Sequence, residues 1–343
     1  MAGTYRFSFG PWNVHEGEDP FGPRVRETIP FEEKVKFAVK AGFGAIQFHD
    51  DDAVDVTLPI AEQNKKLAEL KKMLDDNGLE AEFIAPRLWF NPHTIDGGWT
   101  SNSAEDRQYA IDRCKRAVDI AKELGTDRLV LWPAREGSYV REAKDSKLAY
   151  DRFVELLNIL LEHDKTIRIL GEMKPNEPCD STLSPTTGHF LALASRTIDP
   201  DRVGILIESA HAMLANLEPS DEMGMALSFG KLWGIHLNDQ NGLKFDEDKT
   251  FGTANLNKAF SQVYILDKYG YGNNGEYVGL DIKVLRTQKQ DVSFAHLANS
   301  KAIFEMLVEK VRSCDQKYID ELIAARDYEE LSFYILKVIM GKA

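Results

Sequence analysis

Acidic and imidazole side chains recur in this chain at positions where they could hold metal ions. Seven candidate ligands are Glu172, Glu208, His211, His236, Asp246, Asp248 and Asp281. His211 follows Glu208 by three residues, and Asp246 and Asp248 stand at alternate positions, on one side of an extended backbone. Divalent cations such as Mg²⁺ take carboxylate oxygens, and Mn²⁺ or Co²⁺ also accept imidazole. Seven ligands exceed what one ion draws from side chains, so the set indicates two divalent metal ions.

The elements that must carry these residues alternate between short apolar runs and longer amphipathic segments. The predicted strands are Tyr5–Phe9, Ala45–Phe48, Ala81–Ile84, Arg128–Leu131, Ile167–Leu170, Arg202–Ile207, Leu232–Ile235 and Tyr277–Leu280. Apolar residues at three- and four-residue spacing predict helices at Phe31–Ala41, Ile60–Asp76, Glu105–Leu124, Leu148–Glu162 and Leu256–Lys268. This alternation predicts an α/β fold with a parallel sheet. No Gly-x-Gly-x-x-Gly follows the first strand, so a closed (β/α)₈ TIM barrel is favoured over an open dinucleotide-binding sheet.

Chemistry in such a barrel gathers at the C-terminal ends of the strands. Four of the candidate ligands, Glu172, Glu208, His236 and Asp281, lie a short way past predicted strands, and so do His49, Trp12 and Trp132. A single polar residue at a strand end is more often part of a structural hydrogen-bond network. Ionisable groups on five different strands of one barrel would instead point at a common centre.

Two regions are predicted along the chain. Residues 1–312 form the catalytic barrel, and residues 313–343 form a helical C-terminal tail with helices at Tyr318–Arg326 and Tyr328–Met340. The tail is too short for a second domain. We expect it to pack on the barrel or on a neighbouring subunit.

Composition narrows the possible partners. The 343 residues carry a formal charge of −13, which opposes binding to nucleic acid because phosphate backbones are also negative. No apolar run approaches the roughly 18 residues of a membrane span, and the N-terminus lacks the features of a secretory signal. Three widely spaced cysteines favour a reducing compartment without disulfides. We therefore expect a cytoplasmic protein that binds neither membrane nor nucleic acid.

Specific motifs also carry a family resemblance. They include Phe9-Gly10-Pro11-Trp12, the run from Phe48 to Asp52, Trp132 to Gly137, Glu172 to Pro178, and Asn238 to Gly242 followed by Asp246 and Asp248. From about Arg6 to Arg286 the chain resembles xylose isomerase of the shorter, class I type. The Lys-Pro-Asn-Glu-Pro run and the order of the motifs make the resemblance specific.

The resemblance implies a role for each candidate ligand. Glu172, Glu208, Asp281 and the residue at 236 would hold the sugar-binding ion. Glu208 would bridge to a second ion held by His211, Asp246 and Asp248.

It also implies catalytic and substrate-binding residues. His49, oriented by Asp52, would assist opening of the cyclic sugar, and Lys174 would contact the oxygen on C1. Trp12 and Trp132 would form aromatic walls, Trp89 would line the pocket, and Lys283 would lie near the metals. Phe21 would enter the active site of an adjacent subunit, which implies a homo-oligomer, a dimer or tetramer.

Four positions depart from the family pattern. His236 stands where the family has aspartate, although the related rhamnose isomerases use histidine at the corresponding ligand position. Ala85 replaces a hydroxyl residue, Trp89 a smaller aromatic residue, and Gly234 a histidine. The expected catalytic apparatus is therefore better supported than any particular sugar.

The function expected from these features is a metal-dependent aldose–ketose isomerase that performs a 1,2-hydride shift on an open-chain sugar. An epimerase or lyase-type enzyme acting on another or modified sugar is the alternative, motivated by the altered pocket. A barrel nuclease fits the metal chemistry but not the charge. A sugar-binding barrel without catalysis would have no use for a second ion.

Overall fold

Eight parallel strands close into a barrel in the computed structural model, which describes residues 4–243 and 245–342. The strands are β1 Phe7–Phe9, β2 Ala45–His49, β3 Glu80–Ala85, β4 Arg128–Leu131, β5 Arg168–Glu172, β6 Val203–Glu208, β7 Leu232–Leu237 and β8 Val278–Leu280. Each strand pairs with the next in the chain, and β8 pairs with β1 through Phe7 and Val278. This confirms the predicted TIM barrel.

Helices connect the strands and cover the outside of the barrel. They are α1 Phe31–Ala41, α2 Asp50–Ala53, α3 Ile60–Asp76, α4 Ala104–Leu124, α5 Ser146–His163, α6 Thr187–Ala194, α7 Ser209–Leu214, α8 Pro219–Ser228, α9 Leu256–Lys268, α10 Ala295–Arg312, α11 Gln316–Ala325 and α12 Tyr328–Ile339. The helix α1 ends at Gly42, which adopts the left-handed conformation with φ of 72°, a common helix stop.

Apolar side chains form two buried layers, as the alternation of strand residues requires. In β5, Ile169 belongs to the larger layer between barrel and helices, whereas Leu170 belongs to a small cluster of residues from β3 to β7. The other members of that small cluster, against which Trp12 packs, are Phe83, Ala85, Val130, Leu206 and Trp233. The interior of the barrel is therefore packed, and open space is confined to its ends.

The C-terminal region contains the two predicted helices, α11 and α12, within a residue or two of their predicted bounds. Tyr334 of α12 accepts a hydrogen bond from the backbone N–H of Asp315 at 2.7 Å, and α12 also contacts α10. The division of the chain into residues 1–312 and 313–343 stays a prediction. Residues 1–3 of the first region and residue 343 of the second lie outside the described part of the chain.

Two further expectations concern the whole chain. Within residues 4–243 and 245–342, every helix is too short or too polar to cross a membrane. Cys114, Cys179 and Cys314 are all free thiols, as their spacing predicts.

Candidate active site

Four strand ends bring the first group of candidate ligands together. Glu172 and Glu208 are the last residues of β5 and β6, His236 lies one residue before the end of β7, and Asp281 directly follows β8. One ligand atom from each lies within 4.8 Å of the others. The strands β5, β6 and β7 extend beyond their predicted ends, because a polar residue that closes a strand interrupts the apolar pattern used to delimit it, whereas β8 ends at Leu280 as predicted. The register pairs Glu208 directly with His236.

A glycine in β8 makes room for the histidine of this group. A Cβ atom on Gly279 would lie 2.5 Å from the backbone oxygen of Ile235 and 3.1 Å from Cδ2 of His236. Any side chain at this position would therefore displace the imidazole or the strand. The space beside Gly234, by contrast, is occupied by apolar side chains and not by a ligand. A Cβ atom placed on Gly234 would lie about 3.1–3.2 Å from Leu206 and Leu170.

The imidazole of His236 faces the carboxylates with its Nδ1 atom. Nδ1 lies 3.2 Å from Glu172, 3.6 Å from Asp281 and 3.8 Å from Glu208. Burial alone would lower the pKa of His236, but the hydrogen bond and charge of Glu172 together with the charges of Asp281 and Glu82 raise this pKa to about 9. The structure thus directs a ring nitrogen, not a carbon edge, toward the centre.

A second group shares Glu208 with the first. His211, on the short helix α7, places Nε2 3.3 Å from Glu208 and 3.2 Å from Asp246, and these three residues also have ligand atoms within 4.8 Å of one another. Asp248 belongs to neither group. Its carboxylate accepts hydrogen bonds from Lys283 at 2.6 Å and from Asn238 at 2.8 Å.

Two lysines neutralise the carboxylates of the loop after β7. Lys174 donates to Asp246 at 2.8 Å and to Glu177 at 3.1 Å, while Lys283 pairs with Asp248. Burial opposes the charge of Lys174, but the carboxylates of Asp246, Glu177 and Glu208 together raise the pKa of this lysine. Lys174 is therefore not an ion-pair partner of Glu172, the simpler alternative that the sequence leaves open.

The donor set fits divalent cations on three observations. First, burial and the nearby Asp246 raise the pKa of Glu208 well above its usual value, and burial also raises that of Asp281. Crowded buried carboxylates of this kind are costly unless a cation compensates them. Second, Asp246 Oδ1 and His211 Nδ1 are buried without hydrogen-bond partners. Third, the oxygen-rich set with imidazole suits Mg²⁺, Mn²⁺, Co²⁺ or Zn²⁺.

Above these groups lies a cavity of about 190 Å³ with aromatic walls. It is lined by Trp12, Trp89 and Trp132 together with His49, Arg87 and the candidate ligands. Trp89 and Trp132 meet edge to face, with ring centroids 4.5 Å apart. Trp12 donates from Nε1 to Asp281 at 2.8 Å and has its ring 4.3 Å from that of His49. Trp12 thus joins the wall to the ligand cluster.

His49 closes β2 at the cavity edge. Its Nδ1 lies 2.8 Å from Asp52 Oδ2 and 2.9 Å from Nη2 of Arg87. The side chain of His49 is only 12% exposed, so it does not form the solvated turn that three following aspartates would also allow. Asp50 turns away from the cavity and pairs with Arg113 at 2.7 Å.

These features agree with a comparison of sequence families. A model described as xylose isomerase-like TIM barrel matches residues 35–280. The chain belongs to the xylose isomerase-like TIM barrel family.

Solved structures with the xylose isomerase-like fold resemble this chain at low identity. One described as L-ribulose 3-epimerase has a TM-score of 0.66 at 16% identity and covers 94% of this chain and 99% of its own. A D-tagatose 3-epimerase-like protein has a TM-score of 0.65 at 18% identity, covering 89% and 99%. The IOLI protein with a bound zinc atom has a TM-score of 0.63 at 15% identity, covering 90% and 100%. At these identities the likeness shows the fold alone.

Within this xylose isomerase-like barrel, most predicted site residues line one mouth, whereas Phe21 does not. Its side chain is 97% exposed on the loop before α1 and lies outside the cavity of its own chain. Phe21 is therefore not a buried anchor within its own subunit, which the sequence would also allow. Its role in an adjacent subunit stays a prediction.

Three residues that contact the site had no predicted role. Asn238 lies within 2.8–2.9 Å of Glu208, Asp248 and the backbone oxygen of Asp281. Glu177 accepts from Lys174 and from the backbone N–H of Asp246, and Arg87 contacts His49. Asn238 follows His236 by two residues on the same strand face, a signal that alternation could have given. Arg87 lies past the end of β3 and has no such signal.

Proposed function

We propose that the protein is a divalent-metal-dependent aldose–ketose isomerase that acts on an open-chain monosaccharide. The observation that carries this proposal is the pair of donor groups sharing Glu208 at the floor of an aromatic cavity. Glu172, Glu208, His236 and Asp281 would hold one cation, and Glu208, His211 and Asp246 the second, with Asp248 close by. Cations bound there would polarise the sugar oxygens.

The residues of the chain would complete the reaction. In aldose-to-ketose conversion the hydrogen on C2 passes to C1 as hydride, and the proton on O2 passes to O1. Lys174, held by Asp246 and Glu177, would stabilise negative charge on O1. Trp12 and Trp132 would exclude water from the transfer, so that hydrogen leaving C2 is not exchanged with solvent. His49 would contact the cyclic sugar before its ring opens.

The cavity also bears on substrate size. A volume of about 190 Å³ is of the size of a single monosaccharide. Ala85 offers no hydroxyl group, and Trp89 occupies the wall where a smaller aromatic residue would leave more space. We therefore assign the class of a monosaccharide and no individual sugar.

A labelled-substrate experiment tests this function. The purified protein, loaded in turn with Mg²⁺, Mn²⁺ and Co²⁺, is incubated with aldopentoses, aldohexoses and deoxyhexoses that carry deuterium on C2. Isomerase action by hydride transfer predicts a ketose with deuterium retained on C1. A Lys174→Met variant serves as the control for background conversion. Ketose that has lost the label to water would contradict the hydride transfer.

An epimerase that uses one cation is the second candidate. The group of Glu172, Glu208, His236 and Asp281 is complete without the other carboxylates, and lysines already neutralise Asp246 and Asp248. Two of the structures with this fold are described as 3-epimerases or similar to one. Epimerisation by proton transfer would bring solvent deuterium onto the inverted carbon of a ketose. One bound cation per chain together with such labelling would favour this candidate over the isomerase.

A homo-oligomer is part of the proposal. It rests on the resemblance, which gives Phe21, 97% exposed on a single chain, a place in a neighbouring subunit. The active site of each chain would then be completed by a second copy.

A further inference from the structure

The loop after β7 carries two of the candidate ligands, Asp246 and Asp248, and is closed at its base. Backbone hydrogen bonds of 2.9 and 3.0 Å join Asp239 and Lys249 in both directions, so the two ends of the loop lie side by side. The carboxylate of Asp239 also accepts from the backbone N–H of Asn255, directly before α9, at 2.9 Å. The base of the loop is therefore fixed to the start of a helix.

The side chain of Gln240 is bonded to the backbone of this loop at three points. It is only 2% exposed, and its Nε2 atom donates to the backbone oxygens of Gly242 and Phe245, each at 2.7 Å. Its Oε1 atom accepts from the backbone N–H of Glu247 at 2.9 Å. A primary amide has two hydrogens to donate, and both are used here on the loop. Gln240 thus supplies hydrogen bonds that water would supply to an open loop.

Two of these contacts lie on either side of Asp246. Gln240 bonds the residue before it, Phe245, and the residue after it, Glu247, so one side chain holds the backbone on both sides of the ligand. The backbone N–H of Asp246 donates in addition to Glu177 at 3.1 Å. A group that is fixed in advance loses less conformational freedom when it binds. The contacts of Gln240 therefore favour cation binding by Asp246.

The carboxylate held in this way belongs to the second ligand group. Its Oδ2 atom lies 3.2 Å from His211 Nε2 and accepts from Lys174 at 2.8 Å. Its Oδ1 atom is buried and has no hydrogen-bond partner among the described residues, which is costly unless a cation satisfies it. The residues of the first group lie instead at the ends of β5 to β8, outside this loop. The bonds of Gln240 to the loop thus concern one ligand group and not the other.

We propose that Gln240 is a positioning residue for the second cation, because it sets the backbone around Asp246 so that this carboxylate meets His211 and Glu208 without rearrangement of the loop. This role deepens the proposed function and rests on it, since the second cation belongs to that function. Loss of the Gln240 amide should weaken the binding of one cation and leave the other unchanged.

Calorimetric titration of the metal-stripped, full-length protein with Mn²⁺ tests this role in the absence of sugar. We expect two sites in the unmodified protein. In Gln240→Met the Kd of the second site should rise about tenfold or more while that of the first stays unchanged, since partners of metal ligands contribute roughly 10–100-fold. Asp246→Asn, which retains the first site, identifies the step that belongs to it. Asn241→Ala removes an exposed amide from the same loop and should leave both steps unchanged.

The outcomes separate this role from the proposed function. Unchanged affinities of both sites in a folded Gln240→Met variant would overturn the role of Gln240, and so would a single bound cation in the unmodified protein. Two bound cations without conversion of any sugar would contradict the proposed function alone, because the titration contains no substrate.

Hydrogen exchange gives a result that does not depend on the folding of a variant. In the metal-stripped unmodified protein, the backbone N–H of Glu247 should exchange more slowly than exposed loop amides, because Gln240 accepts its hydrogen bond. Gln240→Met should lose this protection, and Asn241→Ala should keep it. Fast exchange at Glu247 in the unmodified protein would show that Gln240 does not fix the loop, and the proposal would be overturned.

Discussion

At the scale of single residues, Glu208 has the largest influence on the candidate site because both ligand groups contain it. Buried at the end of β6, it contacts His211 and receives a hydrogen bond from Asn238. Its raised pKa reflects burial and the negative neighbours around it. A cation would relieve that crowding, and the two sites would not be independent.

This sharing leads to a prediction for metal binding. Glu208→Gln should weaken Mn²⁺ binding at both sites more than about 100-fold, since even the partners of metal ligands contribute roughly 10–100-fold. Asp246→Asn should remove one site and leave the other. Calorimetric titration of the metal-stripped proteins gives the stoichiometry, which we expect to be two, none and one for the unmodified protein and these two variants. Two undiminished sites in Glu208→Gln would contradict the bridging role.

Four of the ligand residues could be predicted from sequence because each lies at or just past a strand end, whereas the grouping of all seven could not. Alternation and motif order identified Glu172, Glu208, His236 and Asp281, and the structure brings them together. The position of Asp248 beside Lys283 depends on how the loop after β7 folds. Its φ of 43° departs from the extended backbone that would put it on the same side as Asp246. Arg87 was missed because it lies in the loop after β3 and reaches His49 at the end of β2, a contact that no sequence spacing predicts.

At the scale of elements, helix α10 is tied to the loop after β1 by a buried histidine. His296 Nε2 donates to the backbone oxygen of Asn13 at 2.9 Å, and burial lowers the pKa of this imidazole to about 4. In the unfolded chain the same group would titrate near 6.5. Between about pH 6.5 and pH 4, the imidazole of His296 is therefore protonated in the unfolded state and neutral in the folded state.

Stability should therefore fall as pH drops from about 6.5 toward 4, by up to about 3 kcal/mol from this group. Urea unfolding of the metal-free protein at several pH values measures the loss. His296→Gln keeps a donor for Asn13 without an imidazole, so its stability should depend less on pH over the same window. An equally steep dependence in this variant would show that other groups dominate.

The strand boundaries show which features of elements a sequence conveys. Apolar runs located all eight strands, but β5, β6 and β7 continue to or beyond the polar ligand residues. From sequence alone, a glutamate at the end of a strand is assigned to the following loop, because the neighbouring side chain that it contacts in the fold is not known. Short helices such as α2 and α7 were not predicted, because four to six residues carry too little periodicity.

At the scale of the whole molecule, the exposed Phe21 bears on assembly. Because it lies outside the cavity of its own chain, a loss of activity on its removal would have to act through another copy. The alternation of strands and helices was enough to predict the barrel. The arrangement of subunits could not be predicted in the same way, because the pattern of strands and helices describes a single chain.

A subunit-mixing experiment tests the role of Phe21 in a partner. We expect Phe21→Ala to fold normally and to lose most of its activity, with the mass of the assembly measured by light scattering. His49→Gln should be inactive through its own site. If Phe21 acts in a neighbouring subunit, mixed assemblies of the two variants should regain activity, since some sites then combine an intact His49 with an intact Phe21. No recovery on co-expression, despite mixed assemblies, would contradict the prediction.

The contacts of Trp12 have an optical consequence. Its indole N–H is bonded to Asp281, and its ring lies against His49, so the environment of this chromophore changes when a cation draws charge from that carboxylate. Emission from Trp12 should therefore shift as Mn²⁺ or Mg²⁺ is added, and the signal should vanish from the difference spectrum of Trp12→Phe. The enzyme would carry its own fluorescent indicator of metal occupancy, readable at concentrations far below those that calorimetry requires.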